Sequence, residues 1–209
     1  MFFFRKTNLK PTLNLVMNSQ LETWIADYIS LQCRTLETID SNATARAIET
    51  IRDAAEADRQ IFVIGNGGSA ANASHFVTDL GKGSSDKWSK RFRCLSLNDN
   101  TAWMSALGND YSYDDIFVRQ LMNYAGEGDI LLGASVSGNS PNIVKAFEWA
   151  NAHKLITIAL VGGNKCKLAQ IAQQTISVEN THYGRVEDAH MTIFHLFAYA
   201  FMESAIKEK

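Results

Sequence analysis

The stretch Ile61-Phe62-Val63-Ile64-Gly65-Asn66-Gly67-Gly68-Ser69 decides the fold. Four consecutive apolar residues, three of them β-branched, read as a short strand buried on both faces. The glycines after it let the chain turn sharply and approach a ligand closely. A helical pattern then runs from 69 to 81. Its first turn presents free N–H groups and the positive end of the helix dipole. A second turn of the same kind, Ser135-Val136-Ser137-Gly138-Asn139-Ser140-Pro141, follows the apolar run Ile130–Leu132. Pro141 fits the first helical position and Ser140 the N-cap before it. Together Asn66, Gly67, Gly68, Ser69, Ser135, Ser137 and Ser140 offer hydroxyls and amides to a small volume. That chemistry suits a phosphate monoester. Either turn alone reads equally well as a tight strand-to-helix connection. Two of them at the carboxyl ends of strands in one open sheet favour a ligand crevice. Neither has the Gly-Lys-Ser/Thr of a nucleotide-binding P-loop, and GNGGSA is not GxGxxG.

Working outward, further apolar runs at Phe92–Leu97, Ile156–Val161 and Thr175–Val178 complete five expected strands. Helical stretches at 101–108, 113–124, 141–153 and 166–173 alternate with them. This alternation predicts a parallel sheet covered on both faces. Before the first strand, Leu21, Trp24, Ile25, Tyr28, Ile29, Leu31 and Leu36 recur at helical spacing. Ser41-Asn42 reads as a break and a new N-cap, with a second helix over Ala43–Ala57. Two amphipathic helices at the edge of the domain point to packing in an oligomer. The last helix is expected from Val186 to about Lys207. Gly81-Lys82-Gly83-Ser84-Ser85-Asp86-Lys87 is the most loop-like stretch. Trp24 and Trp103 are expected to pack.

The chain has 209 residues, 46% hydrophobic and 20% charged, with 13 Gly and two Pro. This composition describes one folded domain, 17–209, and excludes general disorder. Residues 1–16 read as a tail or a mis-called start, because Met17 opens a more ordinary beginning. Twenty basic against 22 acidic residues exclude a nucleic-acid surface that works by bulk charge. Cys33, Cys94 and Cys166 show no CxxC spacing, so a reducing cytoplasm is expected. No apolar run reaches the length of a membrane span. The opening MFFFRK reverses the charge order of a signal peptide.

His75 and Asp79, four apart on a helix, share a face and suit one metal ion. The last helix supplies Glu187, His190 and His195. Glu187 and His195 lie about 80° apart around the axis and about 12 Å along it. Local geometry alone makes Glu187 with His190 the easier pair. His182 lies in a turn close to this region.

GNGGSAANASHF and GASVSGNSPNIVKA, with HFVTD, ALGNDYSYDDIF and RVEDAHMTIFH, resemble the sugar isomerase (SIS) domain, and within it the sedoheptulose-7-phosphate (phosphoheptose) isomerases. The resemblance runs from about Ser19 to the C-terminus. It implies a flavodoxin-like three-layer α/β/α fold with a five-stranded parallel sheet, and a homotetramer whose active sites lie between subunits. It implies phosphate binding by Ser69, Ser135, Ser137 and Ser140. It implies one Zn²⁺ per subunit held by His75, Asp79, Glu187 and His195, which leaves His190 without a role. Asp79 and His195 become the proton-transfer groups of a ketose–aldose isomerisation through a metal-stabilised enediolate. The implied product is a heptose 7-phosphate for lipopolysaccharide, capsule or another surface glycan.

This chain departs from the heptose isomerase pattern at several places. Asp79 stands for Glu, Glu187 for Gln, Val136 for Thr and Asn100 for Asp. The acidic residue usual before Arg185 is absent. These departures cluster around the sugar and admit a different sugar phosphate. A non-catalytic relative that binds DnaA in replication initiation shares the start of the first helix motif. It lacks counterparts of Asp79 and His195, which favours the enzyme here. A sugar-phosphate sensor is the third alternative.

Overall fold

The computed structural model describes residues 11–163 and 165–207. In chain order the elements are α1 (Pro11–Leu36), α2 (Ser41–Glu56), β1 (Gln60–Gly65) and α3 (Gly68–Thr78). A π-helical turn (Asp79–Ser84) follows, then β2 (Arg93–Ser96), α4 (Thr101–Asp110), a 3-10 turn (Tyr113–Asp115) and α5 (Val118–Tyr124). The chain continues with β3 (Ile130–Ser135), α6 (Pro141–Ala152), β4 (Ile156–Val161), α7 (Lys167–Ile171), β5 (Gln174–Ser177) and α8 (Tyr183–Met202).

All five strands pair in parallel, in the order β2-β1-β3-β4-β5. Continuous apolar runs such as Ile61–Ile64 are buried along their whole length. That is what a sheet covered on both faces requires. On one face α2, α3 and α8 pack Ile51, Phe76, Phe194 and Phe197 against the sheet. On the other α5, α6 and α7 contribute Leu121, Phe147 and Leu168. The three-layer α/β/α architecture expected from the alternation is therefore present. The chain reverses direction across the sheet between β1 and β3, so the turns that follow these two strands flank one crevice.

Several boundaries differ from expectation. The N-cap of α2 is Asp40, not Ser41-Asn42: its carboxylate accepts hydrogen bonds from the N–H groups of Asn42 (2.8 Å) and Ala43 (3.1 Å). Such a cap contributes about 1 kcal/mol. The helix expected at 113–124 splits into the 3-10 turn and α5. The last helix begins at Tyr183, because the His182 ring caps it by accepting from Arg185 N–H, and it ends at Met202. The stretch 81–87 is not a free loop. Ser84 is buried and donates to the Ala198 carbonyl at 2.9 Å, while buried Ser85 accepts from Phe92 N–H at 2.9 Å. Two buried hydroxyls thus clamp this polar stretch onto α8 and the strand behind it. Trp103 packs on the core, but Trp24 is 60% exposed. Residues 1–10 of the expected tail lie outside the described residues, and α1 takes in 11–16.

Candidate active site

The first turn leaves β1 through Gly67, whose φ of +56° is the left-handed region that favours glycine. A Cβ on Gly68 would stand 2.5 Å from the Glu187 carboxylate. A side chain at position 68 would push the end of the Glu187 side chain aside. Asn98 pins the end of β1 by accepting from Gly65 N–H (3.2 Å) and donating to its carbonyl (2.8 Å). The two turns are joined by a reciprocal amide pair. Asn66 Nδ2 donates to Asn142 Oδ1, and Asn142 Nδ2 to Asn66 Oδ1, both at 2.9 Å.

Between the turns lies a small hollow of about 70 Å³, lined by Asn66, Ser69, Ser135, Ser137, Ser140, Tyr183 and Glu187 among others. Pro141 is the first residue of α6 and Ser140 its N-cap, as the sequence predicts, yet the Ser140 side chain makes no capping bond. The hydroxyls of Ser69 and Ser140 are unpaired among the described residues. Ser135 Oγ accepts from Gly138 N–H at 3.1 Å, and Ser137 Oγ from Asn139 N–H at 3.3 Å. Each of these two still has its own proton to donate. Four hydroxyls and two helix starts therefore converge where a tetrahedral oxyanion fits.

Further along α3 and α8, His75, Asp79 and His195 converge. Their potential ligand atoms lie within 4.8 Å of one another. Asp79 Oδ2 is 3.4 Å from His75 Nε2 and 3.6 Å from His195 Nε2. The imidazoles meet edge to face at 5.2 Å between centroids. The side chains are partly open to solvent: 53% for His75, 43% for His195 and 26% for Asp79. Two imidazoles and a carboxylate with open faces match the donor set of a catalytic zinc site, three protein ligands with a free position. Glu187 is outside this trio, eight residues before His195, with its carboxylate over Gly68. Asn72 Nδ2 donates to the Glu187 carbonyl at 2.9 Å and ties α3 to α8 between the two sites.

His190 is wholly buried on α8, and neither ring nitrogen has a hydrogen-bond partner among the described residues. Burial pushes its pKa down to about 4, and the Val161 backbone acts in the opposite sense. His182 caps α8 and meets Tyr28 edge to face. His153 ends α6, stacked on Trp149 at the surface. Asp115 pairs with Lys145 at 2.9 Å, and that bond, with one from Ser112, holds its carboxyl below the usual range. Sequence reading missed Asn142 and Tyr183. An Asn at the second position of a helix after a serine turn was the available signal for the first.

The SIS domain family matches residues 23–162. The chain belongs to that family. A phosphoheptose isomerase from Citrifermentans bemidjiense is 36% identical over 157 residues, 75% of this chain and 81% of the relative. The solved structure of a phosphoheptose isomerase from Neisseria gonorrhoeae superposes with a TM-score of 0.81 at 27% identity, covering 89% of this chain and 100% of that one. A phosphoheptose isomerase from Francisella tularensis gives a TM-score of 0.80 at 25% identity, covering 90% and 98%. With these relatives, this SIS protein is an isomerase. No helix among the described residues is long and apolar enough to cross a membrane.

Proposed function

We propose that this SIS protein interconverts ketose and aldose sugar phosphates, with sedoheptulose 7-phosphate as substrate and D-glycero-D-manno-heptose 7-phosphate as product. The observation that carries the reading is the pairing of two sites on two shared helices. From Ser69 to His75 is roughly 9 Å along α3, and from Glu187 to His195 roughly 12 Å along α8. An open-chain heptose spans that distance from its terminal phosphate to its carbonyl end. A triose does not.

In this reading Ser69, Ser135, Ser137 and Ser140, with the amides of Gly67 and Gly68 and the Asn66 side chain nearby, hold the phosphate. That anchor fixes the far end of the sugar against Asp79 and His195 and converts phosphate binding into alignment of the reacting carbons. Asp79 takes the proton beside the carbonyl, and His195 handles the proton of the neighbouring oxygen and carbon. His75, Asp79 and His195 would hold a divalent ion, proposed as Zn²⁺; Glu187, the fourth ligand the resemblance implies, has its carboxylate over Gly68 in the phosphate hollow instead. When bound, the ion supplies Lewis-acid polarisation of the sugar oxygens.

The proposed assembly is a homotetramer with sites between subunits. It is supported by the exposed Trp24 (60%), Ile29 (57%) and Leu21 (55%) on α1. A neighbouring apolar groove, lined by Leu36, Ile39, Ile48 and Leu196, supports it too. A cytoplasmic location fits the three free cysteines. The product would feed heptose into a surface glycan.

The test is proton NMR of the zinc-loaded protein with sedoheptulose 7-phosphate in D₂O. Deuterium should enter the carbon beside the carbonyl as an aldose appears, and His195→Ala should abolish the exchange with the fold intact. No exchange in folded, zinc-loaded wild type refutes the assignment.

A further inference from the structure

The phosphate hollow has an unbalanced charge. Hydroxyls, amides and one carboxylate, Glu187, line it, and no cation does. A phosphate dianion entering there meets a like charge at short range, which costs binding unless a positive group compensates.

A second, larger hollow of about 380 Å³ opens from the first. The two share Val136, Ser137 and Tyr183 as walls. Its floor is the β4–α7 turn, Gly162 and Gly163 with Cys166, and its one cation is Lys165. None of the other cations nearby lines either hollow. Lys167 pairs with Glu148 at 2.8 Å, Lys145 with Asp115 at 2.9 Å, and the Arg185 guanidinium sits over the Tyr28 ring at 5.0 Å. Lys165 is exposed and makes no hydrogen bond or ion pair among the described residues. Glu179 shares its outer rim without pairing with it.

We infer that Lys165 is a phosphate-binding residue of this site, reaching from the β4–α7 turn across Ser137 to offset the charge that Glu187 places in the hollow. The inference rests on the reading of the serine turns as a phosphate site. The turn is suited to the role. Leu168 N–H donates to the Gly138 carbonyl at 2.9 Å and Lys167 N–H to Asn139 Oδ1 at 2.9 Å, so the backbone after Lys165 is tied to the second serine turn. The lysine stem itself is free to swing. An ammonium on a flexible stem suits a point-charge contact with an oxyanion that the hydroxyls have already oriented.

The test is calorimetric titration of inorganic phosphate into the full chain in EDTA, so that binding is read without turnover. Wild type, Lys165→Gln and Lys165→Arg are compared at two ionic strengths. Lys165→Gln should weaken phosphate about tenfold, the effect of losing one charge-assisted hydrogen bond, and Lys165→Arg should restore most of it. Raising the salt should narrow the gap between wild type and Lys165→Gln. Glu187→Gln should act in the opposite sense and tighten phosphate. Equal affinities for wild type and Lys165→Gln would overturn the role of Lys165 and leave the serine site standing. No phosphate binding by folded wild type would overturn both.

Discussion

Burial of His190 makes the fold sensitive to acid. Its ring is wholly buried on α8, with both nitrogens unpaired among the described residues, and its pKa falls to about 4. In the unfolded chain the same imidazole titrates near 6.5. Between those values the unfolded state binds the proton and the folded state does not, so stability declines as pH falls. One pKa unit is worth about 1.4 kcal/mol. The whole interval therefore costs the folded state about 3 kcal/mol, nothing of it above pH 7 and nearly all of it by pH 4. Replacing the ring with a leucine of similar volume removes the titration and the two orphaned nitrogens together. The His190→Leu protein should be at least as stable as wild type at pH 7.5. Relative to wild type it should gain about 2–3 kcal/mol between pH 7.5 and 4.5. Urea unfolding of both proteins at the two pH values, in EDTA, measures this directly, because every other titrating group is common to the pair. Parallel pH profiles would show that His190 is charged in the folded protein, and the argument from its burial would fail.

Other consequences follow from the same geometry. Asp79→Asn removes the carboxylate that faces both imidazoles. Zinc content should fall and isomerisation should drop at least about 100-fold, while the melting temperature stays near wild type, since these partly exposed contacts add little stability. Asn142→Ala breaks the amide pair that joins the two turns. It should cost about 1–2 kcal/mol, seen as a melting temperature lower by about 2–8 °C, and raise KM for the sugar phosphate more than it lowers kcat. Dihydroxyacetone phosphate should bind through its phosphate yet exchange no solvent deuterium, because it does not reach from the serines to Asp79. Exchange at a rate comparable to the heptose phosphate would sink the span argument.

What the sequence made legible were features settled within a few residues. The strand–turn–helix units at Ile61–Ser69 and Ile130–Pro141 depend on local residues such as Gly67 and the Ser140-Pro141 start of α6, and they lie where the spacing predicts. His75 and Asp79 share a face because four residues make about one turn. Features that need distant partners were not legible. The Asn66–Asn142 amide pair spans 76 positions. The polar stretch 81–87 reads as a loop until Ala198 appears as the acceptor for Ser84. Trp24 looks like a core residue by its spacing, but its apolar neighbours on α1 face outward. Spacing did indicate that Glu187 and His195 sit far apart on α8. The trio around Asp79, with Glu187 over Gly68, has that separation.

The π-helical turn explains why the trio forms on these two helices. As far as Asp79 the chain keeps α-helical hydrogen bonds, the Asp79 N–H still reaching the His75 carbonyl. That spacing puts His75 and Asp79 on one face. Directly afterwards the helix widens, and Ser85 N–H bonds back five residues to the Leu80 carbonyl at 3.3 Å. Widening buries Leu80 completely and brings Ser84 onto the Ala198 carbonyl, one turn beyond His195 on α8. An α-helical continuation would rotate Ser84 away from that carbonyl and lose its tie to α8, at a cost of about 1 kcal/mol. Single π turns inside helices recur at functional sites. Here the turn sets α3 against α8 at the level where Asp79 meets His195, so the end of the crevice proposed to react is held by a packing device outside it.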